Sequence, residues 1–302
     1  MPLFESVMRS FQAVAHHGSI RRASEHLHMT PSAVDRQILK LERDIGVALF
    51  ERLPRGVRLT AAGELLLGAT RRLHRELEST ISQIDALRGL RRGSAVVMSL
   101  QFLADALLPA VVADLRRSHP GVGYAVHTET TEAILRAVVD GDADIGICHA
   151  PPRGLPLTVV LRVPARLGAV FRPGHALAAR QRLRMTDCLA YPLILPRAGM
   201  ELRAIIEASR PRAVLEFQPA IETNSISMLK AMLMRGVGVG FLTNQDVADE
   251  VRRGELQFLQ LADRQGVAPD LCLIVRAARV LPVAADLFLR QVQPALAALA
   301  PG

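Results

Sequence analysis

Apolar residues recur at helical spacing in the first part of the chain and predict two short helices. The first helix is expected over residues 3–16, and Gly18 would end it. Ser19 is an N-cap type of residue for a second helix through about His26, with Ala23 and Leu27 facing inward. The apolar positions of the first helix are Phe4, Val7, Phe11 and Val14.

A third helix is predicted between Thr30, an N-cap type of residue, and Gly46, which suits a C-terminal end. Pro31 fits the first helical position, where its missing N–H needs no partner. The outward face is polar at its start and cationic further along, as in a helix that enters the DNA major groove; a solvated bundle helix is the alternative. The inward stripe is Val34, Ile38, Leu41 and Ile45, and the outward face is Ser32, Arg36, Leu39 and Arg43.

Residues 49–59 predict a β-hairpin, because a Pro-Arg-Gly turn separates two short apolar runs. A hairpin that follows three helices is typical of a wing. Its basic residues are Arg52, Arg55 and Arg58.

A long helix is predicted over residues 61–87, with Thr60 as its cap. Apolar residues and two threonines follow one another in steps of four and three, which is a heptad pattern. Charged residues surround this seam on its other sides, which favours a partner helix over burial in the helix's own domain. The seam consists of Leu66, Thr70, Leu73, Leu77, Thr80, Ile84 and Leu87.

From residue 93 onward, short β-rich runs alternate with helical stretches in the order βαβαβ, which predicts a mainly parallel sheet with flanking helices. A second such set follows. The last strand and a helix from Pro282 to about Ala298 can return to the first set.

Ligands of parallel sheets bind beyond the carboxyl ends of the strands, where helix N-termini offer free N–H groups. Thr131 and Ser225 are predicted helix caps. Packing in an apolar core does not explain an arginine at position 197, so Arg197 could instead bind a carboxylate group of the ligand. The predicted junctions also contain Gly199 and Thr243. The candidate ligand contacts at these junctions are Ser99, Gln101, Phe102, Thr128, Thr130, His149, Arg197, Thr223 and Phe241.

The composition favours a globular protein with an anionic partner. Hydrophobic residues make up 50% of the 302 residues, and the formal net charge is +8. Residues 1–92 hold 15 Lys or Arg against 10 Asp or Glu, so the shorter segment carries the larger basic excess. Three widely spaced cysteines fit a reducing compartment, and neither a secretory signal nor a membrane span is recognisable, so we expect a cytoplasmic protein without membrane contact.

Enzymatic motifs are not found in the sequence, which lacks HExxH, GxxxxGK[ST], GxSxG and CxxC. Cys148 and His149 are adjacent on a predicted strand, so their side chains would point to opposite faces and could not pair. We therefore expect no catalysis, no metal and no cofactor.

Residues 4–67 carry many fixed spacings that resemble the DNA-binding segment of LysR-type transcriptional regulators. These include Phe-x-x-Val-Ala, an Ala-containing second helix, Ser-Ala-Val-x-x-Gln-Ile, Leu-Glu, Gly-Val-x-Leu-Phe-x-Arg and Leu-Thr-x-Ala-Gly. The resemblance implies an α/β protein with an all-α-plus-wing N-terminal module: a winged helix-turn-helix over residues 1–60, a linker and dimerisation helix over 61–92, and an effector-binding domain over 93–302.

In this family the effector-binding domain has two α/β lobes, similar to type 2 periplasmic binding proteins, with the effector in the cleft between them. The lobes would cover about 93–163 with 266–302, and about 164–265. The implied partners are double-stranded DNA, a small-molecule effector and further copies of the chain as a homodimer or homotetramer, with RNA polymerase as a further candidate. An architectural DNA-binding protein and a solute-binding receptor are the alternatives.

Two positions depart from the family pattern on the third helix. Pro31 stands where Gln is common, and Asp35 where Ser is usual. Asp35 could accept a hydrogen bond from cytosine or pair with cations on its own helix, such as Arg36 or Arg43. The expected DNA-binding residues are Ser19, Arg21, Thr30, Pro31, Ser32, Asp35, Arg36, Lys40, Arg52, Arg55 and Arg58.

The predicted cleft departs from the family pattern as well. Leu100 and Gln101 follow the first strand where a small hydroxyl residue is frequent, and Glu129 stands where Gly is frequent. The sequence leaves open a small anion or a bulkier, partly apolar or cationic effector. It also leaves open the target genes and the choice between activation and repression.

Overall fold

The computed structural model describes residues 2–54, 56–87, 93–211, 216–262, 268–278 and 280–301. The chain forms two compact units, Met1–Glu78 and Ser79–Gly302. Each unit has a hydrophobic core of its own.

The first unit consists of helices and one antiparallel hairpin that pack around a small core. Phe11, Val14, Ala23 and Val34 are completely buried in this core, as the helical spacing predicts. The side chain of Phe4 lies outside the described residues. The elements are α1 Pro2–His17, α2 Ile20–Leu27, α3 Pro31–Ile45, β1 Phe50–Leu53, β2 Gly56–Leu59 and the start of α4 Ala61–Leu87.

The predicted apolar stripe of α3 ends earlier than expected. Ile38 and Leu41 are buried, but Ile45 is 44% exposed. Ile45 is the last residue of the helix, because Gly46 ends it in a left-handed conformation. The buried part of the stripe therefore stops at Leu41, one turn before the end of the helix.

Helix α4 begins close to the hairpin, and a glycine permits the approach. A Cβ atom at Gly63 would lie 2.2 Å from the backbone oxygen of Leu49. Thr60 caps the helix, as predicted, because its Oγ1 accepts a hydrogen bond from the N–H of Gly63 at 3.0 Å. The same hydroxyl donates to the carbonyl of Ala48 at 2.8 Å, so it fixes the start of α4 relative to the hairpin.

The first sheet of the second unit has the strand order β4-β3-β5-β12-β6. Its β3 pairs in parallel with β4 and β5, whereas β12 is antiparallel to both of its neighbours. The strands and the helices that flank this sheet are β3 Gly93–Ser99, α5 Gln101–Asp105, α6 Leu107–Ser118, β4 Val122–Thr128, α7 Thr131–Asp140, β5 Ile145–His149, β6 Leu157–Val163, β12 Leu271–Arg276 and α12 Val283–Ala297.

The second sheet has the order β11-β7-β10-β8-β9. Because β12 and α12 pack with the first sheet, the chain passes between the two sheets after β6 and returns before β12, in agreement with the predicted fold class. The elements of this part are β7 Leu167–Phe171, a 3-10 turn Ala176–Ala179, α8 Met185–Cys188, β8 Leu193–Pro196, α9 Glu201–Ala208, β9 Ile221–Thr223, α10 Ile226–Met234, β10 Val239–Thr243, α11 Ala248–Arg252 and β11 Gln257–Gln260.

Within the described ranges, no helix is both long and apolar enough to cross a membrane.

Candidate nucleic-acid interface and ligand cavity

The start of α3 is fixed by the residues that the sequence indicated. Thr30 Oγ1 accepts a hydrogen bond from the N–H of Ala33 at 3.3 Å, and Pro31 occupies the first turn. Ser32 Oγ lies 3.2 Å from Thr30 Oγ1 at the exposed N-terminal end of the helix. The first turn of α3 is therefore rigid and presents two hydroxyl groups.

The outward face of α3 is exposed and cationic, as predicted. Arg36 Nε donates to the carbonyl of Ser32 at 3.3 Å, and Arg43 Nε donates to the carbonyl of Leu39 at 3.3 Å. Both arginines therefore lie along the exposed face, about two turns apart from each other on the helix. Lys40 is exposed as well.

Helix α2 contributes the two residues at its N-terminus that the sequence singled out. Ser19 caps the helix by accepting a hydrogen bond from the N–H of Arg22 at 3.5 Å. Arg21 is exposed and pairs with Glu25, with 3.3 Å between Nε and Oε1.

The wing strands carry two predicted arginines, and both are paired with carboxylates. Arg58 Nη2 lies 2.7 Å from Glu51 Oε2 on the neighbouring strand, and the hydrogen bond to this carboxylate raises the pKa of Arg58. Arg52 Nη2 lies 2.7 Å from Asp35 Oδ1. Asp35 thus pairs with the wing, which corrects the expectation of a partner on its own helix. Arg55 lies outside the described residues.

Glu42 joins α3 to the wing and was not singled out as a functional residue. Its Oε1 accepts hydrogen bonds from the N–H groups of Leu49 at 2.8 Å and Phe50 at 3.1 Å. Since these two donors begin the first wing strand, one carboxylate sets the distance between the wing and α3. Glu42 belongs to the Leu-Glu pair of the sequence pattern, and that pair was the available signal.

In the second unit, a cavity of about 460 Å³ lies where the carboxyl ends of several strands meet helix N-termini. Five predicted ligand contacts line this cavity, and they are Gln101, Phe102, Thr128, Thr130 and His149. These five residues of different strand-to-helix junctions therefore lie together around one cavity, as predicted.

The other four predicted contacts do not line the cavity. Ser99 is buried, and its hydroxyl donates to the carbonyl of Leu100 at 3.2 Å. Thr223 Oγ1 accepts a hydrogen bond from the N–H of Ser225 at 3.1 Å. Phe241 is completely buried against Phe217, with 6.1 Å between the ring centroids. Arg197 is exposed at the end of β8 and is not among the residues that line the cavity.

The cap of α7 is one residue earlier than predicted. Thr130, not Thr131, caps the helix, because Thr130 Oγ1 accepts from the N–H of Ala133 at 3.4 Å. Thr131 Oγ1 instead accepts a hydrogen bond from the N–H of His149 at 3.3 Å. Ser225 caps α10 as predicted, at 3.2 Å from the N–H of Met228.

The second sheet and its helices supply a further wall of the cavity, of which the predicted strand-to-helix junctions indicated only Gly199 and Thr243. This wall consists of Gly199, Met200, Glu201, Leu202, Ile226, Thr243 and Asp246. Glu201 Oε1 lies 2.7 Å from His149 Nδ1, so α9 and β5 meet at the cavity. Burial would raise the pKa of Glu201, but hydrogen bonds from His149 and Thr131 outweigh it and the pKa is lowered.

Asp246 lies deeper than the other acidic residues of the cavity. Its Oδ2 accepts hydrogen bonds from the N–H of Thr243 at 2.8 Å and from Thr243 Oγ1 at 2.7 Å. Burial raises the pKa of Asp246, and the Thr243 bonds and the charges of His149 and Lys230 oppose this effect only in part. No group of His, Cys, Asp and Glu within the described residues could hold a metal ion.

Two family models match the two parts of the chain. Residues 6–64 match "Bacterial regulatory helix-turn-helix protein, lysR family", and residues 88–297 match "LysR substrate binding domain". The chain belongs to the LysR family of bacterial transcriptional regulators. It is therefore an effector-controlled, DNA-binding regulator of the LysR type, as the resemblance of its N-terminal segment implied.

Similar LysR-type regulators extend over almost the whole chain. The regulator CbbR of Xanthobacter flavus is 31% identical over 91% of this chain and 83% of its own length. The SDS degradation transcriptional activation protein of a Pseudomonas strain is 32% identical over 92% of each chain.

Solved structures of LysR regulators share the fold. Full-length OxyR from Pseudomonas aeruginosa has a TM-score of 0.66 at 18% identity, covering 95% of this chain and 96% of its own. CbnR in complex with its target DNA has a TM-score of 0.50 at 23% identity, covering 96% of this chain and 99% of its own. Identities this low relate the folds alone.

Proposed function

We propose that α3 and the wing of this LysR-type regulator bind double-stranded DNA, with Ser32 and Arg36 as the principal contacts. The observation that carries this proposal is the exposed cationic face of α3, which lies opposite the buried stripe of Val34, Ile38 and Leu41. A recognition helix reads base edges with its N-terminal residues and contacts phosphates with its cations. Ser19, Arg21, Thr30, Pro31, Lys40, Arg52, Arg55 and Arg58 are proposed as further contacts.

We propose that the effector binds in the 460 Å³ cavity of the second unit. The cavity size falls in the range of small-molecule sites, and convergent polar groups lie among apolar side chains. The proposed contacts are Gln101, Phe102, Thr128, Thr130 and His149, together with Glu201 and Asp246. The domain boundaries proposed from the sequence would make residues 93–302 the effector-binding part.

We further propose that the chain works as a homodimer or homotetramer through α4. Leu73 is 62% exposed, Leu77 58% and Ile84 46%, so the apolar seam positions from Leu73 to Ile84 are uncovered within the described chain. Leu66, the first predicted seam position, instead packs against the core of the first unit. A partner helix would bury these side chains and present two recognition helices to two DNA half-sites. The side chain of Leu87, the last seam position, lies outside the described residues.

A regulatory rather than catalytic role is supported by the relatives and by the burial of Cys148. The similar proteins are transcriptional regulators. Burial raises the pKa of Cys148 to about 12, so this thiol is not a ready nucleophile. We also propose that the protein is cytoplasmic and that it contacts RNA polymerase, which fits this role. The relatives named for RuBisCO operons and for SDS degradation differ in their named targets, so they support the regulatory role and not one target operon.

The DNA-binding proposal is tested with DNA that flanks the protein's own gene. We expect footprinting to find a protected pseudo-palindromic site, and fluorescence anisotropy to measure its affinity. The variant Arg36→Ala should bind about fivefold or more weakly, because one base or phosphate contact contributes about 1–3 kcal/mol. The matched control is Arg136→Ala, an exposed arginine of the second unit that pairs with Glu132. Equal affinities for the two variants would contradict the proposed face.

A further inference from the structure

The charges around the ligand cavity are mainly negative. Three carboxylates line it, those of Glu129, Glu201 and Asp246. Neither Lys nor Arg is among the described residues that line the cavity. The one basic side chain there is His149, and its Nδ1 is already occupied by Glu201 at 2.7 Å. An anionic ligand would face three carboxylates without a cationic partner of its own.

The helix N-termini at the cavity do not reverse this balance. Free N–H groups at a helix start normally attract anions. Here the N-termini of α7 and α10 are capped by Thr130 and Ser225. Glu201 occupies the first turn of α9 and places a negative charge at that helix start. Side chains of the protein therefore already occupy part of the starts of these three helices, whereas the five-residue α5, which begins at Gln101, has no side-chain cap.

Asp246 lines the cavity, and one of its carboxylate oxygens takes no hydrogen bond from the described residues. Asp246 is 8% exposed, and its Oδ2 takes both hydrogen bonds from Thr243. Its Oδ1 accepts no hydrogen bond from the described residues. Nearby Lys230 does not neutralise it directly, because Lys230 Nζ lies 2.8 Å from Glu250 and donates to the backbone oxygen of Asp246 at 3.1 Å.

The rest of the lining is largely apolar. A carboxylate with an unused oxygen in such surroundings gains most from an ammonium group, which supplies both a positive charge and N–H donors. The apolar side chains would cover the hydrocarbon part of the same molecule. They are Leu100, Phe102, Met200, Leu202 and Ile226.

We propose that the effector of this regulator is an amphipathic organic amine whose ammonium group binds Asp246 and Glu129 and whose apolar body lies against Phe102 and Ile226. This inference rests on the proposed role of the cavity as the effector site. Glu201 remains engaged with His149, so it contributes its charge rather than a direct contact.

Three probes with the same phenyl body and different end groups test this inference on the full-length protein. They are 2-phenylethylamine as cation, 3-phenylpropionate as anion and 2-phenylethanol as neutral molecule. We expect the amine alone to raise the melting temperature in a concentration-dependent manner, because it binds the folded state, and calorimetry to give its affinity.

Two variants locate the amine. In Asp246→Asn the amide oxygen can keep the Thr243 hydrogen bonds while the charge is lost, so we expect the amine to bind roughly tenfold or more weakly. Glu129 is exposed, so Glu129→Gln should fold normally and also weaken binding. The control is Glu132→Gln, an exposed acid on α7 outside the lining, which should leave the affinity unchanged.

Other results would overturn the inference. One is a larger rise in melting temperature with the propionate or the alcohol than with the amine. If Asp246→Asn weakened that rise, the cavity would still be a ligand site, but for a ligand of another chemical class. Another is an amine effect that is equal in Asp246→Asn and Glu132→Gln. Failure of all three probes to bind would also overturn it, whereas the footprinting experiment would still decide the DNA-binding proposal independently.

Discussion

Asp35 on the recognition helix pairs with Arg52 on the first wing strand, with 2.7 Å between Asp35 Oδ1 and Arg52 Nη2. The two residues are 17 positions apart in the chain, and both side chains remain partly open to solvent, 32% for Asp35 and 63% for Arg52. The Asp that replaces the usual Ser of the family at position 35 thus forms an ion pair with the wing. It holds a wing arginine that would otherwise be available to a phosphate.

We expect Asp35→Asn to strengthen binding to DNA of unrelated sequence. The substitution removes a carboxylate that phosphates repel and releases Arg52, so the slope of log K against log salt concentration should steepen by up to about 0.9, the value of one phosphate contact. Folding stability should change by less than about 1 kcal/mol, because the pair is largely exposed. Anisotropy titrations at several salt concentrations measure the slope.

The control for this prediction is Asp44→Asn, which removes one negative charge from the exposed C-terminal end of the same helix. Equal effects of the two substitutions would show that net charge alone is responsible. If Asp35→Asn instead weakened binding only at sites with a particular cytosine, Asp35 would be reading that base, and its pairing with Arg52 would not persist on DNA.

Glu42 supports the wing, and its loss should destabilise the first unit. In Glu42→Ala the N–H groups of Leu49 and Phe50 would lose their acceptor, which costs about 1–3 kcal/mol when donors are left unsatisfied. The matched variant Glu42→Gln keeps an oxygen acceptor and should lose less. Urea unfolding monitored by circular dichroism provides both free energies. A Glu42→Ala protein as stable as Glu42→Gln would contradict this role.

The elements of the first unit could be predicted from sequence because local signals determine them. Thr30, Pro31 and Gly46 specify where α3 begins and ends without reference to the rest of the chain. The exposure of Ile45 could not be predicted in this way. Helical periodicity describes one face of a helix, but not how far along that face the neighbouring helices reach.

The ligand cavity could be predicted mainly on the side of the first sheet. Strand-to-helix junctions indicated His149, whereas its partner Glu201 lies 52 residues away, in helix α9, which follows strand β8 of the other sheet. Their contact depends on how the two sheets pack, which no local pattern contains. Phe241 shows a related limit: a position near a strand end was predicted, but its side chain points into the core.

The exposed seam of α4 predicts how the chain can be made monomeric. We expect Leu77→Glu to abolish dimerisation without unfolding the protein, because Leu77 is already 58% exposed within the chain. Light scattering coupled to gel filtration measures the oligomeric state, and circular dichroism verifies folding. Leu65→Glu is the control, since Leu65 is 76% exposed but lies off the seam. A Leu77→Glu protein that remained dimeric would place the interface elsewhere.

The ion pair of Glu201 with His149 predicts a pH-dependent contribution to stability. The pKa of Glu201 is lowered from its ordinary value of 4.5. The folded state therefore binds fewer protons than the unfolded state just below pH 4.5, and stability falls there as the pH falls. Since Glu201 is 37% exposed, we expect less than about 1 kcal/mol.

Comparison with Glu201→Gln isolates this contribution from those of other carboxylates. Unfolding free energies of both proteins, measured by urea titration from pH 5 to 3.5, should differ most at the upper end and converge as the pH falls. A difference that stayed constant, or grew towards low pH, would show that the folded state does not favour the ionised form of Glu201.

The described cysteines are predicted to be unreactive in the folded protein. Cys148, Cys188 and Cys272 are completely buried, and burial raises the pKa of Cys148 to about 12 and also raises that of Cys272. Cys148 and Cys272 face each other across β5 and β12, yet both are free thiols. Since the thiolate is the reactive form, we expect a disulfide reagent such as DTNB to label these thiols only after denaturation. Rapid labelling of the native protein at neutral pH, with retention of its circular dichroism spectrum, would contradict this prediction and indicate local opening of β12.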